Sequence, residues 1–366
     1  MTEAAPAPRR DTGSQPFGIM APIPTPFDDE GEIDRTALAQ LIDFYLRAKV
    51  HSLFALGSAG QGPAMRADQR RTAAELIMDR VGGAVPVVLQ VGTADIQTTL
   101  QIARHGAALR PAALAVSPPY YYGDHTPFEI AAHFAAVVEA VDTPVFIYDN
   151  PRYAGIAMSP GATARLAKAL PALRGIILEQ GGLESVLQFI RSLPPEFKIF
   201  SGAVECLLPA QPYGLAGVTC GASSIFPELA VALWESTTDS EYHDAFFRQH
   251  QLNELSAILD RYAITTGRTV YRDVLRLRGL QIKRYPRWPS ADLEDEVRTK
   301  LSEELDALGA FALPRARAAE PMPEGAPAES PADDTLEAQP GGGAAEFEPA
   351  IMLGGAETTP SAADPA

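Results

Sequence analysis

The chain has few cysteines, few lysines and no long apolar run, and each shortage excludes a class of protein. Cys206 and Cys220 are the two cysteines among 366 residues, so a disulfide framework and a CxxC motif are both excluded. No uninterrupted apolar stretch is long enough to span a bilayer. Residues 1–15 are rich in Ala, Pro and Arg and lack the apolar centre of a signal peptide. These features predict a soluble, cytoplasmic protein.

Basic residues are scarce relative to acidic ones, with 30 Lys and Arg against 46 Asp and Glu and a net charge of −16. A chain of this charge is repelled by nucleic acid and by anionic membranes, so neither is an expected partner. Half of the net charge lies in residues 312–366, where ten acidic residues stand against two arginines and Pro, Ala and Gly are abundant. This composition predicts a disordered acidic tail, and we also expect disorder in residues 1–15. An apolar island at 347–353 is more simply explained by chance composition than by a docking motif.

Eight short apolar runs alternate with amphipathic stretches along the chain. They cover residues 18–26, 52–57, 85–92, 112–118, 144–148, 175–178, 198–201 and 217–221. Continuous apolar runs are typical of strands buried on both faces of a parallel sheet. The pattern predicts the α/β fold class, with a (β/α)8 TIM barrel whose core covers residues 16–225.

A doubly wound open sheet is the structural alternative to the barrel. It would normally carry a glycine-rich phosphate loop after its first strand, but that strand ends in Ile23-Pro24-Thr25-Pro26. Prolines lack the amides that bind phosphate, which favours the barrel. Residues 226–311 predict the last barrel helix and a C-terminal helical layer, with helices over 240–263, 266–280 and 292–308.

The carboxyl ends of barrel strands form the active site in this architecture, so their residues are the first candidates for function. Five of these ends carry distinctive motifs: Thr25-Pro26-Phe27, Gly57-Ser58-Ala59-Gly60-Gln61, Ser117-Pro118-Pro119-Tyr120-Tyr121, Tyr148-Asp149-Asn150-Pro151 and Ser201-Gly202. In order and spacing they resemble the dihydrodipicolinate synthase / N-acetylneuraminate lyase family of pyruvate-dependent lyases. The resemblance extends over residues 18–308.

The resemblance implies a role for each matching position. Tyr148 matches the family's acid/base tyrosine, Ser58 its relay hydroxyl, and Tyr121 a second tyrosine that often comes from a neighbouring subunit. The substrate-binding positions implied in the same way are Thr25, Gly57, Ala59, Gly60 and Gly202. The alternative is that the two tyrosines are strand-end aromatics that fill the barrel mouth. The family also implies a small carbonyl or carboxylate ligand and a homo-oligomer, either a tetramer or a dimer.

Strand six departs from the family pattern at the position that carries its chemistry. The family has Gly-Ile-Lys-Glu/Asp, whereas this chain has Gly175-Ile176-Ile177-Leu178-Glu179, which places Ile177 where a lysine forms a Schiff base with a 2-oxo acid. An imine requires a primary amine. The chain has only five lysines, none of them expected at the barrel mouth: Lys49, Lys168, Lys198, Lys283 and Lys300.

Other positions also depart from the family. Ala59 replaces a hydroxyl residue that contacts the substrate carboxylate, Gln61 replaces a glutamate, and Asp149 replaces an asparagine. Tyr153 stands where diaminopimelate-pathway members have a carboxylate-binding arginine, and Arg152 lies one residue too early. These departures argue against dihydrodipicolinate synthesis.

Glu179 lies two residues after Ile177, so the period of a strand would place both on the same side. It could act as a base or bind a cationic ligand, or it could be a solvated residue that begins the next loop. We predict no cofactor, because the possible metal ligands Glu179, Glu205, Asp149 and His125 have no metal-ligand spacing. Cys220 is expected to be a packed residue rather than a nucleophile.

Two hypotheses of function follow. The first is a diverged lyase, of aldolase or dehydratase type, that acts on a small carbonyl or carboxylate compound without a lysine Schiff base. It is favoured by the set Tyr148, Ser58 and Tyr121. The second is a catalytically silent barrel that binds a ligand or a partner protein, which Ile177 and Ala59 favour.

Overall fold

All eight apolar runs form β-strands, which close into a parallel barrel in sequence order in the computed structural model of the chain. The structure describes residues 15–287 and 291–312. The strands are β1 (Gly18–Pro22), β2 (Ser52–Ala55), β3 (Val87–Gln90), β4 (Ala113–Val116), β5 (Val145–Asp149), β6 (Leu173–Leu178), β7 (Lys198–Ser201) and β8 (Gly217–Val218). Strand β8 pairs with β1 and closes the barrel, which confirms the predicted TIM-barrel fold.

Helices connect the strands and form a layer after the last of them. They are α1 (Arg35–Arg47), α2 (Ala67–Val81), α3 (Ile96–Ala108), α4 (Pro127–Ala140), α5 (Pro151–Ala154), α6 (Pro160–Ala169), α7 (Leu183–Ser192), α8 (Leu207–Ala210), α9 (Gly221–Ile225), α10 (Pro227–Thr238), α11 (Tyr242–Thr266), α12 (Thr269–Leu277) and α13 (Asp295–Ala307). The last three form the predicted C-terminal helical layer. Among the described residues, no helix is long and apolar enough to cross a membrane.

Local sequence explains why these helices begin and pack where they do. In α1 the side chain of Asp34 accepts a hydrogen bond from the amide of Ala37, so it caps the first turn. The apolar face expected from the spacing of the helix is buried against the barrel, as Leu38, Leu41 and Ile42 show.

The barrel strands separate two apolar cores. Side chains that face outward pack against the helices, and the inward side chains form a smaller cluster inside the barrel: Met20, Phe54, Val88, Ala113, Ala115, Phe146, Tyr148, Ile177 and Phe200. Along β6, Ile176 and Leu178 belong to the outer core and Ile177 to the inner one. The alternation of a strand therefore continues through β6 and aims the next inward residue, Glu179, at the barrel mouth.

Several predictions concern parts of the chain that the structure does not describe. The N-terminal segment apart from Gln15, and the acidic tail apart from Ala312, lie outside the described residues. The apolar island at 347–353 lies outside them as well.

Candidate functional site

Tyr148 occupies the centre of the barrel mouth. Its ring is buried at the end of β5 and packs edge-on against Phe54, with 5.1 Å between the ring centroids. Its hydroxyl oxygen accepts hydrogen bonds from the amide nitrogen of Ser58 at 3.4 Å and from Nδ2 of Asn150 at 3.2 Å. The structure therefore brings together Tyr148 and Ser58, which the sequence analysis assigned to one proton relay.

Glu179 faces the same mouth. It follows β6, borders a large cavity and lies close enough to the hydroxyl of Tyr148 for the two groups to influence each other's pKa. Burial raises the pKa of Glu179 to about 7, against the opposing effects of the Tyr148 hydroxyl and of the Arg268 charge. Burial and the nearby Glu179 carboxylate raise the pKa of Tyr148. The pair thus combines a neutral tyrosine donor with a carboxyl group that exchanges its proton near neutral pH.

Ile177 lies directly beside Tyr148, at the position that the resemblance gives to a lysine. The two residues are partners in the β5–β6 register, and Ile177 is 0% exposed inside the barrel. All five lysines of the sequence fall within the described residues, and none of them lines either cavity at the mouth. Lys198, for example, opens β7 at the opposite end of the barrel.

The loop after β2 presents two unpaired amides. Its backbone carbonyls are all engaged: that of Ser58 accepts from Arg268 at 2.7 Å, that of Ala59 from the Tyr285 hydroxyl at 3.0 Å, and that of Gly60 from Thr25 Oγ1 at 2.8 Å. Within the described part of the chain, the amides of Ala59 and Gly60 have no acceptor. Two adjacent free N–H groups can bind a carboxylate oxygen without any side chain.

Two cavities meet at this loop, one of about 860 Å³ and one of about 250 Å³. Ala59 and Glu179 line the larger one, and Tyr148 lines the smaller one. The residues common to both are Ser58, Asn150, Tyr153 and Arg268. The combined space accommodates a substrate considerably larger than pyruvate.

Four predicted binding residues line neither cavity, namely Thr25, Gly57, Gly60 and Gly202. Thr25 fixes the carbonyl of Gly60, as described above. A Cβ on Gly57 would lie 2.4 Å from the Phe54 ring, and one on Gly202 would lie 2.8 Å from Cα of Glu179. Both glycines therefore permit close packing around residues of the mouth.

Tyr121 is not brought to the site by its own chain. Its side chain is 81% exposed, its φ is 87°, and neither cavity includes it. The adjacent Tyr120 lines the smaller cavity instead. The relay from Tyr148 through Ser58 therefore does not reach Tyr121 within one chain.

The sequence did not point to three residues of the site. Asn150 binds the Tyr148 hydroxyl, and Arg268 and Tyr285 hold the loop after β2 from the C-terminal layer. Asn150 belongs to a recognised motif and could have been found by its position beside Tyr148. Arg268 and Tyr285 are separated from their partners in the loop by 210 and 226 residues, and no local sequence pattern predicts contacts over such a separation.

Asp149 points away from the mouth, because it alternates with Tyr148 along β5. It is 5% exposed, and its Oδ1 accepts a hydrogen bond from the amide of Met158 at 3.1 Å. Burial raises the pKa of this carboxyl from 3.8 to about 7. The fold therefore favours the neutral form of Asp149. The protonated side chain contributes fully to the stability of the folded protein below pH 3.8, and this contribution is lost as the pH rises through 7.

We expect Asp149→Asn to stabilise the protein in alkaline solution, because an amide keeps the acceptor for Met158 and carries no charge. Each pKa unit corresponds to about 1.4 kcal/mol, so the free energy of unfolding at pH 8 should rise by up to about 4 kcal/mol. The gain should shrink toward pH 5. Urea unfolding across this range measures it, with the exposed Asp306→Asn as control. A gain in the free energy of unfolding that does not vary with pH would contradict the raised pKa of Asp149.

Cys220 is buried, and its sulfur accepts a hydrogen bond from the amide of Ser223 at 3.4 Å. Burial raises the pKa of the thiol to about 11, which fits a packed residue and not a nucleophile. Among the described residues, no three His, Cys, Asp or Glu side chains converge as metal ligands.

Comparison with known proteins agrees with this architecture. The model of the dihydrodipicolinate synthetase family matches residues 15–308. An uncharacterized DapA-like lyase of Halobacterium salinarum is 30% identical over 312 residues, which cover 84% of this chain and 99% of that protein. A probable 2-dehydro-3-deoxy-D-pentonate aldolase of Escherichia coli is 26% identical, with 80% and 97% of the two chains covered. The relatives named as lyases and aldolases support a lyase-type enzyme.

Solved structures show the same fold. The prophage protein YagE of Escherichia coli, solved in complex with pyruvate, superposes with a TM-score of 0.75 at 23% identity and covers 80% of this chain and 99% of its own. A Clostridium difficile protein solved with mannosamine superposes with a TM-score of 0.74 at 23% identity, covering 81% of this chain and all of its own. With the family model matched over the whole barrel and its helical layer, this chain is a member of the dihydrodipicolinate synthetase family.

Proposed function

We propose that the chain is a diverged lyase of its family, which cleaves or dehydrates a small 2-oxo acid without forming a lysine Schiff base. The observation that carries the proposal is the position of Ile177, an apolar side chain inside the barrel next to Tyr148, with Glu179 one strand period further along. Ile177 cannot supply an amine at that position, whereas Glu179 and Tyr148 beside it can act as an acid/base pair.

The geometry suggests a role for each group. The free amides of Ala59 and Gly60 hold the substrate carboxylate. Glu179, in its ionised form, removes a proton from the substrate, either from the carbon next to the carbonyl or from the hydroxyl of an aldol. When the proton comes from carbon, its electron pair moves onto the carbonyl oxygen as an enolate, which then expels the hydroxyl of the next carbon as water with the proton now held by Glu179. When it comes from the aldol hydroxyl, the carbon–carbon bond breaks, an aldehyde leaves and the bonding pair forms the enolate. In both cases the hydroxyl of Tyr148 donates a hydrogen bond to the enolate oxygen.

Replacing the carboxyl group of Glu179 tests this assignment. We expect the wild-type protein in D2O to exchange the C3 protons of pyruvate or 2-oxobutanoate for deuterium, followed by proton NMR. The rate should rise with pH through about 7, as Glu179 ionises, and then level off. Glu179→Gln should slow the exchange by about 10²- to 10⁴-fold and remove this rise.

The control is Glu184→Gln, an exposed carboxyl in the first turn of α7. A Glu179→Gln protein that kept both the rate and the pH profile would show that another group acts as the base. If the wild-type protein itself exchanges no faster than buffer, the second hypothesis is favoured, namely a silent barrel that binds a ligand or a partner protein. The loss of a hydroxyl at Ala59 fits that hypothesis.

We further propose that the protein acts in the cytoplasm as a homo-oligomer, a dimer or a tetramer. Tyr121 supports this, because its side chain is largely exposed and its backbone has a positive φ. A bulky residue adopts that conformation only where something favours it. In the family that the sequence resembles, the matching tyrosine often completes the active site of a neighbouring subunit.

A further inference from the structure

Two arginines that border the larger cavity lie near the ring of Tyr153. The guanidinium carbon of Arg268 lies 5.6 Å from the centre of the Tyr153 ring, and that of Arg152 lies 5.7 Å from it. Both residues line the cavity of about 860 Å³ that Glu179 also borders. A ligand in this cavity therefore reaches Glu179 and the two cations together.

Neither arginine forms an ion pair with a described carboxylate. The hydrogen bonds of Arg268 go to two neutral oxygens, the carbonyl of Ser58 at 2.7 Å and the hydroxyl of Tyr153 at 2.6 Å. A guanidinium has five N–H donors, so three remain available. Arg261, on the same cavity, differs in that it is paired with Glu304 of α13.

Two carboxyl groups, those of Glu179 and Asp260, line the cavity together with these arginines. Burial raises the pKa of Glu179 to about 7, and it also raises the pKa of Asp260. Burial therefore reduces the negative charge of Glu179 near neutral pH, whereas both guanidinium groups stay charged. A half-buried guanidinium without a counter-ion binds an oxyanion with more energy than an exposed one.

We propose that Arg268, assisted by Arg152, forms an oxyanion subsite that selects substrates with a second anionic group, in the first place a dicarboxylic 2-oxo acid. The inference rests on the proposed function for the reacting end of the substrate. The free amides of the β2 loop hold the carboxylate beside the carbonyl, and Arg268 holds the distal one. Tyr153 supports the planar guanidinium by stacking and by its hydrogen bond.

Equilibrium binding to the full-length protein tests the subsite without requiring turnover. The probes are 2-oxoglutarate and its 5-methyl ester, which differ in the distal charge alone. We expect the wild-type protein to bind the diacid about 10- to 100-fold more tightly than the ester, as a charge-assisted hydrogen bond would give. Arg268→Gln should abolish this preference, and Arg268→Lys should keep part of it.

Arg261→Gln serves as the matched control, because Arg261 lines the same cavity but is already paired, and it should retain the preference. Tyr148→Phe should also retain it, so a failure of catalysis is distinguishable from a failure of the subsite. Competition by glutarate against inorganic phosphate shows whether the preferred oxyanion is a carboxylate or a phosphate, and either answer supports the subsite.

Two results would overturn the proposal. One is a wild-type protein that does not prefer the diacid to the ester. The other is an Arg268→Gln protein in which the affinities for both probes fall by the same factor, since this would mean that Arg268 only holds the carbonyl of Ser58.

Discussion

Replacing Tyr148 with phenylalanine is expected to slow C3 proton exchange by about 10²- to 10⁴-fold, the usual contribution of a positioned acid/base group. The change removes one oxygen atom, which accepts hydrogen bonds from Ser58 and Asn150 and lies near the Glu179 carboxyl group. The ring and its edge-on contact with Phe54 remain, so the barrel interior stays filled.

Binding should separate from turnover in this variant. The carboxylate of a 2-oxo acid is expected to bind the amides of Ala59 and Gly60, which the substitution does not alter. Affinity for pyruvate should therefore change by no more than about twofold, while exchange is lost. If exchange continued at the wild-type rate, Tyr148 would be only a structural aromatic of the barrel mouth.

Tyr45→Phe is the matched control. Tyr45 is also buried, and its hydroxyl hydrogen-bonds Ser224 at 2.8 Å, but neither cavity includes it. Loss of its hydroxyl should lower stability by about 1 kcal/mol, as for a typical buried hydrogen bond, and leave exchange unchanged. An equal loss of exchange in both variants would indicate a general effect on folding.

Replacing Ile177 with lysine is expected to give the barrel mouth an amine that forms an imine with a 2-oxo acid. The new amine would lie inside the barrel beside Tyr148, where burial lowers the pKa of a lysine and keeps a share of it neutral and nucleophilic. After incubation with pyruvate and borohydride, we expect intact mass spectrometry to show one added reduced pyruvate per chain.

Ile177→Met separates the amine from the change of shape. It places an unbranched side chain of similar volume at the same position, and it should give no adduct. Far-UV circular dichroism on both variants checks that the barrel has formed. A folded Ile177→Lys protein that fails to trap pyruvate would show that this position is not aligned with the substrate carbonyl.

The fold could be predicted from the sequence because a parallel barrel leaves a strong local signal. Strands covered on both faces are continuous apolar runs, and β7, predicted over residues 198–201, has these bounds in the structure. The proximity of Tyr148 and Ser58 could also be predicted, because the carboxyl ends of the parallel strands meet at one mouth of the barrel.

Other features depend on contacts that no local pattern encodes. Arg268 and Tyr285 reach the β2 loop from the helical layer, more than 200 residues away in the sequence. Glu179 could be predicted only in part. The sequence left open the register of strand six, and therefore whether the Glu179 side chain faces the barrel mouth or solvent. The burial of Ile177 inside the barrel establishes that register.

The difference between Tyr121 and Tyr120 shows a further limit. Both follow β4, but Tyr120 lines the smaller cavity and Tyr121 points to solvent. Alternation alone cannot distinguish them, because the chain has left the strand and φ of Tyr121 is 87°. A partner subunit is the kind of contact that a single sequence leaves undefined.

Borohydride trapping of the wild-type protein tests most directly whether the chain works without a Schiff base. The protein is incubated with pyruvate, 2-oxobutanoate and 2-oxoglutarate, treated with borohydride and weighed by intact mass spectrometry, with Ile177→Lys treated in parallel as the positive control. We expect no mass gain on the wild-type protein and a gain of one reduced 2-oxo acid on the variant. A stable adduct on the wild-type chain, mapped to any of its five lysines, would contradict the proposed imine-free chemistry.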